Sequence, residues 1–549
     1  MHLSLILILL LQIALVLALS RAMGVLFARL RQPQVMGEMV AGIMLGPSLL
    51  GWLAPGVSAQ LFPPESIQYL NILSQVGVIF FLFLIGLELD PKLIRNRGHA
   101  AVVISHVSII APFLLGAALA LYLYPRLFNA APHMRFTAVA LFMGAAMSIT
   151  AFPVLARILT ERNLHKTKVG AITITCAAVD DVSAWCMLAF VVAVARAQGL
   201  ESAVMTAIAS AAYVVVMFFV IRPFLGRLQA VYDRQGRLSQ NVVAAIFLLV
   251  LASAFTTELI GIHALFGAFL MGAIMPKGTQ FVRHVSEKLE DFTVVFLLPI
   301  FFAYTGLKTH IGLINNTELW VDTLLIIAVA CLGKFGGSTI AARACGLGWR
   351  EASAIGTLMN TRGLMELVIL NIGQELGVIT DAVFAMMVIM ALVTTALTTP
   401  VLSLVYPARL FVEEKAKAVI KVAGKAFSVL IPIANPRSGG PLLRLADMLV
   451  DAASGQRIFA LHLRRPVEHE AYRAGLDESA DNETAPAMKA LLEQPHSAPV
   501  EPISFVSSDV PADIVQVAQA WNVDLILMGF HKPVFSHTIL GGTVHRILS

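Results

Sequence analysis

A chain of 549 residues with 58% hydrophobic and only 13% charged residues, against an ordinary charged share of about 25%, cannot cover its own surface as a soluble globule. Its mean hydropathy is +0.80, and the charges crowd beyond about residue 410, which leaves roughly 405 residues for apolar spans of about 20 residues each. The net charge of +5 is no sign of nucleic-acid binding, because Lys and Arg of a membrane protein collect in its cytoplasmic loops.

Residues 2–20 are apolar but lack a basic start and a small-residue cleavage site, so they read as a first span rather than a signal peptide. Thirteen apolar runs follow one another at 3–28, 34–50, 68–87, 99–124, 135–159, 168–195, 202–225, 240–257, 260–276, 289–307, 319–341, 351–376 and 380–406. The second and ninth are short enough to be tilted or partly re-entrant. Alternate loops carry seventeen basic residues: Arg29, Arg31, Lys92, Arg95, Arg97, Arg162, Lys166, Lys168, Arg222, Arg227, Arg234, Arg237, Lys277, Arg283, Lys288, Arg343 and Arg350. The opposite loops hold Arg126, Arg135, Arg196 and Lys308. The positive-inside rule makes the richer side cytoplasmic, with the N-terminus outside and the C-terminus inside. Cys176, Cys186, Cys331 and Cys345 lie in or beside these runs without paired spacing and read as small buried hydrophobes.

The character changes after Pro407. Residues 407–427 read as a charged linker helix and 428–549 as a cytoplasmic domain. Strands are expected at 428–433, 457–463, 503–506 and 524–528, helices at 441–453 and 511–521, and a loop at 494–502. Strands alternating with helices predict a parallel α/β sheet. The fold class is therefore an all-α polytopic membrane protein of about thirteen spans with a C-terminal soluble α/β domain.

Ionisable residues at membrane depth are costly and mark function. Asp180 and Asp181 stand side by side in the middle of the sixth run, and Lys334 in the middle of the eleventh. A lone buried ammonium needs an acidic partner, and the aspartates are the candidates. Gly333, Gly336 and Gly337 beside the lysine would let helices approach closely. Such a cluster titrates as a unit and holds protons or a small cation. Competition for one site, combined with alternating access, is antiport. No Cys or His cluster is placed there for a soft-ligand metal.

Two runs look interrupted. The fifth contains Ser148, Thr150 and Pro153, and the twelfth contains Asn360, Thr361, Arg362 and Glu366 around Gly363. Proline removes a backbone hydrogen bond and the hydroxyls can bond the backbone locally. Breaks in corresponding positions of two halves point to the binding site of an inverted-repeat transporter, where free carbonyls and helix ends could coordinate a cation. Arg362 and Glu366, four residues apart, can pair with each other.

These segments resemble the monovalent cation:proton antiporter-2 family, which includes bacterial sodium/proton and potassium/proton antiporters and plant cation/proton exchangers. The likeness rests on Gly37–Ser48, Phe83–Glu88, Thr150–Pro153, Val179–Asp181, His263–Phe269, Pro299–Ala303, Gly333–Lys334 and Asn360–Leu364, in that order. It implies a thirteen-helix fold with a dimerisation domain and a mobile core, a homodimer in a bacterial inner membrane, and no enzymatic activity. It makes Asp181 the main carboxylate for the monovalent cation and proton, and Asp180 the partner of Lys334. Aspartate at 180 resembles the electrogenic sodium/proton type, moving two protons per cation, while the flavour of residues 178–185 leaves potassium open. A ligand-gated potassium channel of the same fold, or an electroneutral potassium/proton antiporter, is the alternative. No GxGxxG or GxxxxGK[ST] loop supports a dinucleotide-gated channel or an ATP-driven pump, and two acids on one helix do not suit an intramembrane aspartyl protease. The C-terminal region resembles universal stress proteins through Asp524–Gly529 and Gly541, Gly542 and Thr543. Phe530-His531-Lys532 departs from the nucleotide-binding pattern after Gly529, so a regulatory domain without bound cofactor is expected.

Overall fold

The computed structural model describes residues 4–30, 32–88, 98–128, 135–161, 164, 167–196, 200–235, 238–407, 427–433, 436–450, 456–464, 500–506, 510–521 and 523–529. The basic loop residues Arg31, Lys92, Arg95, Arg97, Arg162, Lys166 and Arg237, the linker from 408 to 426, and Gly541, Gly542 and Thr543 lie outside them. Contacts divide the chain into two units, Met1–Val154 with Thr175–Pro400, and Leu155–Ile174 with Val401–Ser549.

Among the described residues, eleven helices are long and apolar enough to cross a bilayer. The ninth run forms the shorter apolar helix Ala264–Ile274, and the twelfth forms two short helices, Trp349–Met359 and Leu364–Glu375. The thirteen runs thus appear as eleven long apolar spans, the fifth of them broken, one short helix and one interrupted pair of short helices, so length and composition alone do not establish thirteen spans. Large apolar side chains such as Phe219, Leu248 and Leu332 point outward and stay exposed, as lipid-facing positions should, while polar and charged residues turn inward.

Glycines set the closest helix contacts. A Cβ at Gly42, in the second run, would strike the Phe302 carbonyl, and one at Gly306, in the tenth, would strike Gly42. A Cβ at Gly86, in the third run, would strike the Phe269 carbonyl, and one at Gly272, in the ninth, the Phe83 carbonyl. Exchanging runs seven apart, the second for the ninth and the tenth for the third, turns the first contact into the second, and the fifth-run break into the twelfth-run break. Seven is odd, so chain direction reverses between the two copies, which is the arrangement of an inverted repeat.

The soluble domain carries a parallel four-stranded sheet in the order β3-β2-β1-β4, with β1 Ser428–Pro432, β2 Arg457–Arg464, β3 Val500–Val506 and β4 Leu525–Ile526. Side chains alternate between its faces. Val429, Ile431, Ile458 and Ala460 pack with Leu443 and Ala446 of the helix Pro436–Leu449. Leu430, Phe459 and Leu461 pack with Ile514 and Val517 of the helix Val510–Ala520. The expected loop at 494–502 is corrected at its end. Residues 500–502 belong to β3, and Pro502, paired with Ala460, is tolerated because β3 is an edge strand. The final strand is shorter than the 524–528 expected, although Leu527 N still donates to Leu430 O at 2.9 Å.

Candidate ion-binding site

The helix Lys168–Arg196 carries both aspartates, and neither is exposed by more than 2%. They have different surroundings. Asp180 accepts Ser105 Oγ at 2.6 Å on Oδ1, with Ser108 Oγ at 2.8 Å, Thr150 Oγ1 at 2.8 Å and Lys334 Nζ at 2.9 Å on Oδ2. Three hydroxyls and an ammonium saturate that carboxylate. Lys334, fully buried, lies in a π-helical turn, Leu332–Gly336, a local widening common at functional sites. Its Nζ also donates to Ser108 O and Oγ at 3.0 Å and to Ser148 O.

The fifth run breaks where expected, though not at the proline. The helix Phe136–Ser148 ends on Ile149, which is extended at φ −85° and ψ 138°. A new helix, Phe152–Glu161, begins with Pro153 in its first turn, where a missing N–H removes no hydrogen bond. Pro153 therefore starts the second half rather than kinking a continuous helix. In the twelfth run the break falls at residues 360–363. The two breaks bond each other, with Ala151 N donating to Thr361 O at 2.9 Å and Thr150 Oγ1 also lying 3.2 Å from Met359 O. A Cβ at Gly363 would come within 3.1 Å of Val154 and 3.2 Å of Ala151.

Interrupting a helix orphans its last carbonyls. Here two cations take them. Arg362, 1% exposed, donates to Ala146 O at 2.9 Å and Met147 O at 2.7 Å, while Lys334 takes Ser148 O. The bond between Arg362 and Glu366 also forms, at 3.4 Å, but it is the longest the arginine makes. Arginine and lysine thus donate to three of the carbonyls that the broken helix leaves without an intrahelical partner. Thr395 holds the Arg362 backbone, accepting its N–H at 3.0 Å and donating to its C=O at 2.7 Å. Asn360 reaches only Cys331 Sγ, at 3.5 Å. Gly333 and Gly337 do admit a neighbour, since their Cβ atoms would fall 2.7 Å from Pro112 and 2.9 Å from Ala111. Gly336 faces open space, contrary to expectation.

Asp181 faces away from this network. Its Oδ1 is buried without a hydrogen-bond partner in the protein, and the residue lines a small cavity with Ile149, Ala184, Trp185, Leu188, Met365 and Ile369. The arrangement therefore has one carboxylate locked by four donors and a neighbour free to take a proton or a cation.

The family model described as sodium/hydrogen exchanger, transmembrane, matches residues 13–406, and that of the universal stress protein family matches 427–549. The chain belongs to the sodium/hydrogen exchanger family. That family comprises transporters rather than enzymes, and the chain is accordingly a multi-span integral membrane protein. It is 47% identical over 402 residues to a Synechocystis protein named Na(+)/H(+) antiporter NhaS4, covering 73% of this chain and 98% of the other. It is 35% identical over 566 residues to Cation/H(+) antiporter 17 of Arabidopsis thaliana, covering 96% of this chain and 67% of the plant protein. Among solved structures it matches the Methanocaldococcus jannaschii sodium proton antiporter MjNhaP1 at a TM-score of 0.51 and 15% identity, over 74% of this chain and 98% of that one, a likeness of fold.

Sequence reasoning found Asp180, Asp181, Lys334, Ser148 and Thr150, which the fold brings together. It missed Ser105, Ser108 and Thr395. The one available signal was the spacing of Ser105 and Ser108, which puts two hydroxyls on one face of an apolar helix. Gly529 closes the described part of the soluble domain, and no ligand role is assigned to it by its surroundings.

Proposed function

We propose that the chain exchanges a monovalent cation for protons by alternating access, with Asp181 as the carboxylate that carries them in turn. The observation that carries this reading is the unpartnered Oδ1 of the cavity-lining Asp181 beside an Asp180 fully engaged by Lys334 and three hydroxyls. A buried carboxylate without a partner must be protonated or must bind a cation, because a bare charge is not tolerated in a low-dielectric interior. One carboxylate exchanges one proton per monovalent cation, so the second proton of a two-for-one exchange must travel on the neighbouring Asp180 and Lys334 pair. An acid at 180 favours sodium and electrogenic exchange of two protons per cation. Names of relatives such as Na(+)/H(+) antiporter support the sodium reading. The loop charges support an external N-terminus and an internal C-terminus in a bacterial plasma membrane. A homodimer, an exchanger domain over 1–406, a linker over 407–427, and a regulatory role for 428–549 without bound nucleotide complete the proposal.

The test is transport in sealed vesicles with an imposed pH gradient, to which sodium, lithium or potassium is added. Wild-type protein is expected to dissipate the gradient with sodium, and Asp181→Asn to fail with every cation. Dissipation by Asp181→Asn at the wild-type rate would falsify the assignment.

A further inference from the structure

Trp185 also lines the Asp181 cavity. Trp185 follows Asp181 by four residues, so both project from one face of the helix Lys168–Arg196. The indole is 4% exposed and stacked on Phe269, with centroids 5.8 Å apart and planes at 29°, which fixes the ring. Its Nε1 is buried without a hydrogen-bond partner in the protein. A buried N–H left unpaired in this way is unfavourable unless a guest accepts from it. Ile149, Leu188, Met365 and Ile369 on the other walls offer no side-chain oxygen. Five other unpaired buried oxygens of the second broken segment, Asn360 Oδ1, Thr361 Oγ1, Glu366 Oε1, Asn371 Oδ1 and Gln374 Oε1, belong to residues that do not line this cavity.

An N–H group cannot ligate a cation, but it can hold a water oxygen. The Ala146, Met147 and Ser148 carbonyls are already taken by Arg362 and Lys334. Of the side chains lining the cavity only Asp181 offers a cation an oxygen, and hard cations fill their coordination with oxygen, which retained water supplies. We infer that Trp185 is a positioning residue of the cation site, its indole N–H holding a water that stays on the cation carried by Asp181. This rests on the exchange reading proposed for Asp181 and adds a means of selecting among cations. Small cations bind their water more strongly than large ones, so an anchored water favours lithium and sodium over potassium.

The experiment measures apparent Km and maximal rate for lithium, sodium and potassium in proteoliposomes containing the full chain. Trp185→Phe keeps an aromatic ring against Phe269 and removes the donor. It is expected to raise the Km for lithium and sodium by about three- to ten-fold, the order of one lost hydrogen bond between neutral groups, with potassium and the maximal rates within two-fold of wild type. An unchanged lithium-to-potassium ratio of Km overturns the inference, as does an equal loss for all three cations. A second measurement needs no loss of the donor. In a chain whose other tryptophans, Trp52, Trp320, Trp349 and Trp521, are changed to Phe, saturating sodium chloride should shift Trp185 emission relative to choline chloride. No shift overturns the inference. Asp181→Asn separates the two levels, for if it transports like wild type the exchange reading falls. If it is inactive while Trp185→Phe keeps wild-type selectivity, only the role of Trp185 falls.

Discussion

Replacing Lys334 by methionine should cost more stability than any lipid-facing change, and neutralising Asp180 as well should restore part of the loss. The pair is 2.9 Å apart, with side-chain exposures of 0% and 1%, so water cannot take over either charge. Removing one member of a buried ion pair costs about 3–5 kcal/mol. Asp180 retains Ser105, Ser108 and Thr150 as donors, which places Lys334→Met near the lower end, about 3 kcal/mol. Part of that loss comes from the Ser148 carbonyl, which loses its ammonium. Adding Asp180→Asn removes the stranded charge, and a coupling of about 1–3 kcal/mol is expected for residues in one network. Thermal unfolding in detergent of wild type, both single variants and the double variant completes the cycle. If the double variant is destabilised by the sum of the singles, the two charges do not stabilise each other and the account of the site is wrong.

Asp180→Asn alone should leave cation-driven proton movement measurable while removing its response to membrane potential, read in vesicles with a potassium-valinomycin clamp; an unchanged response would contradict the electrogenic role. Arg362→Ala should orphan the Ala146 and Met147 carbonyls and lower stability by about 2–4 kcal/mol, from two buried acceptors at about 1–3 kcal/mol each partly rescued by water. Arg362→Lys, with one point charge for two carbonyls, should recover less than half of that in the same unfolding assay. Gly333→Ala should force its methyl against Pro112, where the added Cβ would lie 2.7 Å from Cα, and destabilise by about 1–3 kcal/mol. Gly336→Ala, facing open space, should be neutral or slightly stabilising.

The fold was legible where physics leaves few options. Asp180, Asp181 and Lys334 are too costly at membrane depth to be incidental, and the two breaks announce themselves as polar residues and glycine in apolar runs. Ser105 and Ser108 were not legible because a serine in a membrane helix can satisfy itself on the preceding turn, so its hydroxyl is not costly enough to demand a role. Arg362 has a neighbour of opposite charge at helical spacing, and that local pairing concealed its longer-range work on the Ala146 and Met147 carbonyls. Pro153 marked the right place for the wrong reason, since proline signals a helix start as readily as a kink. In the soluble domain Pro502 suggested a loop because sequence does not reveal which strand will lie at the edge.

The glycine contacts limit how such a protein can move. At Gly42 against Phe302 and at Gly86 against Phe269, two backbones touch with no side chain between them. A helix sliding by one turn, about 5.4 Å, would bring Glu38 or Gly46 to the first point, and glycine can pass there. At the second it would bring Leu82, which does not fit where a single Cβ already collides. The third and ninth runs are therefore held in register against that slide, and opening to either side of the bilayer that leaves this seam intact is the less costly one.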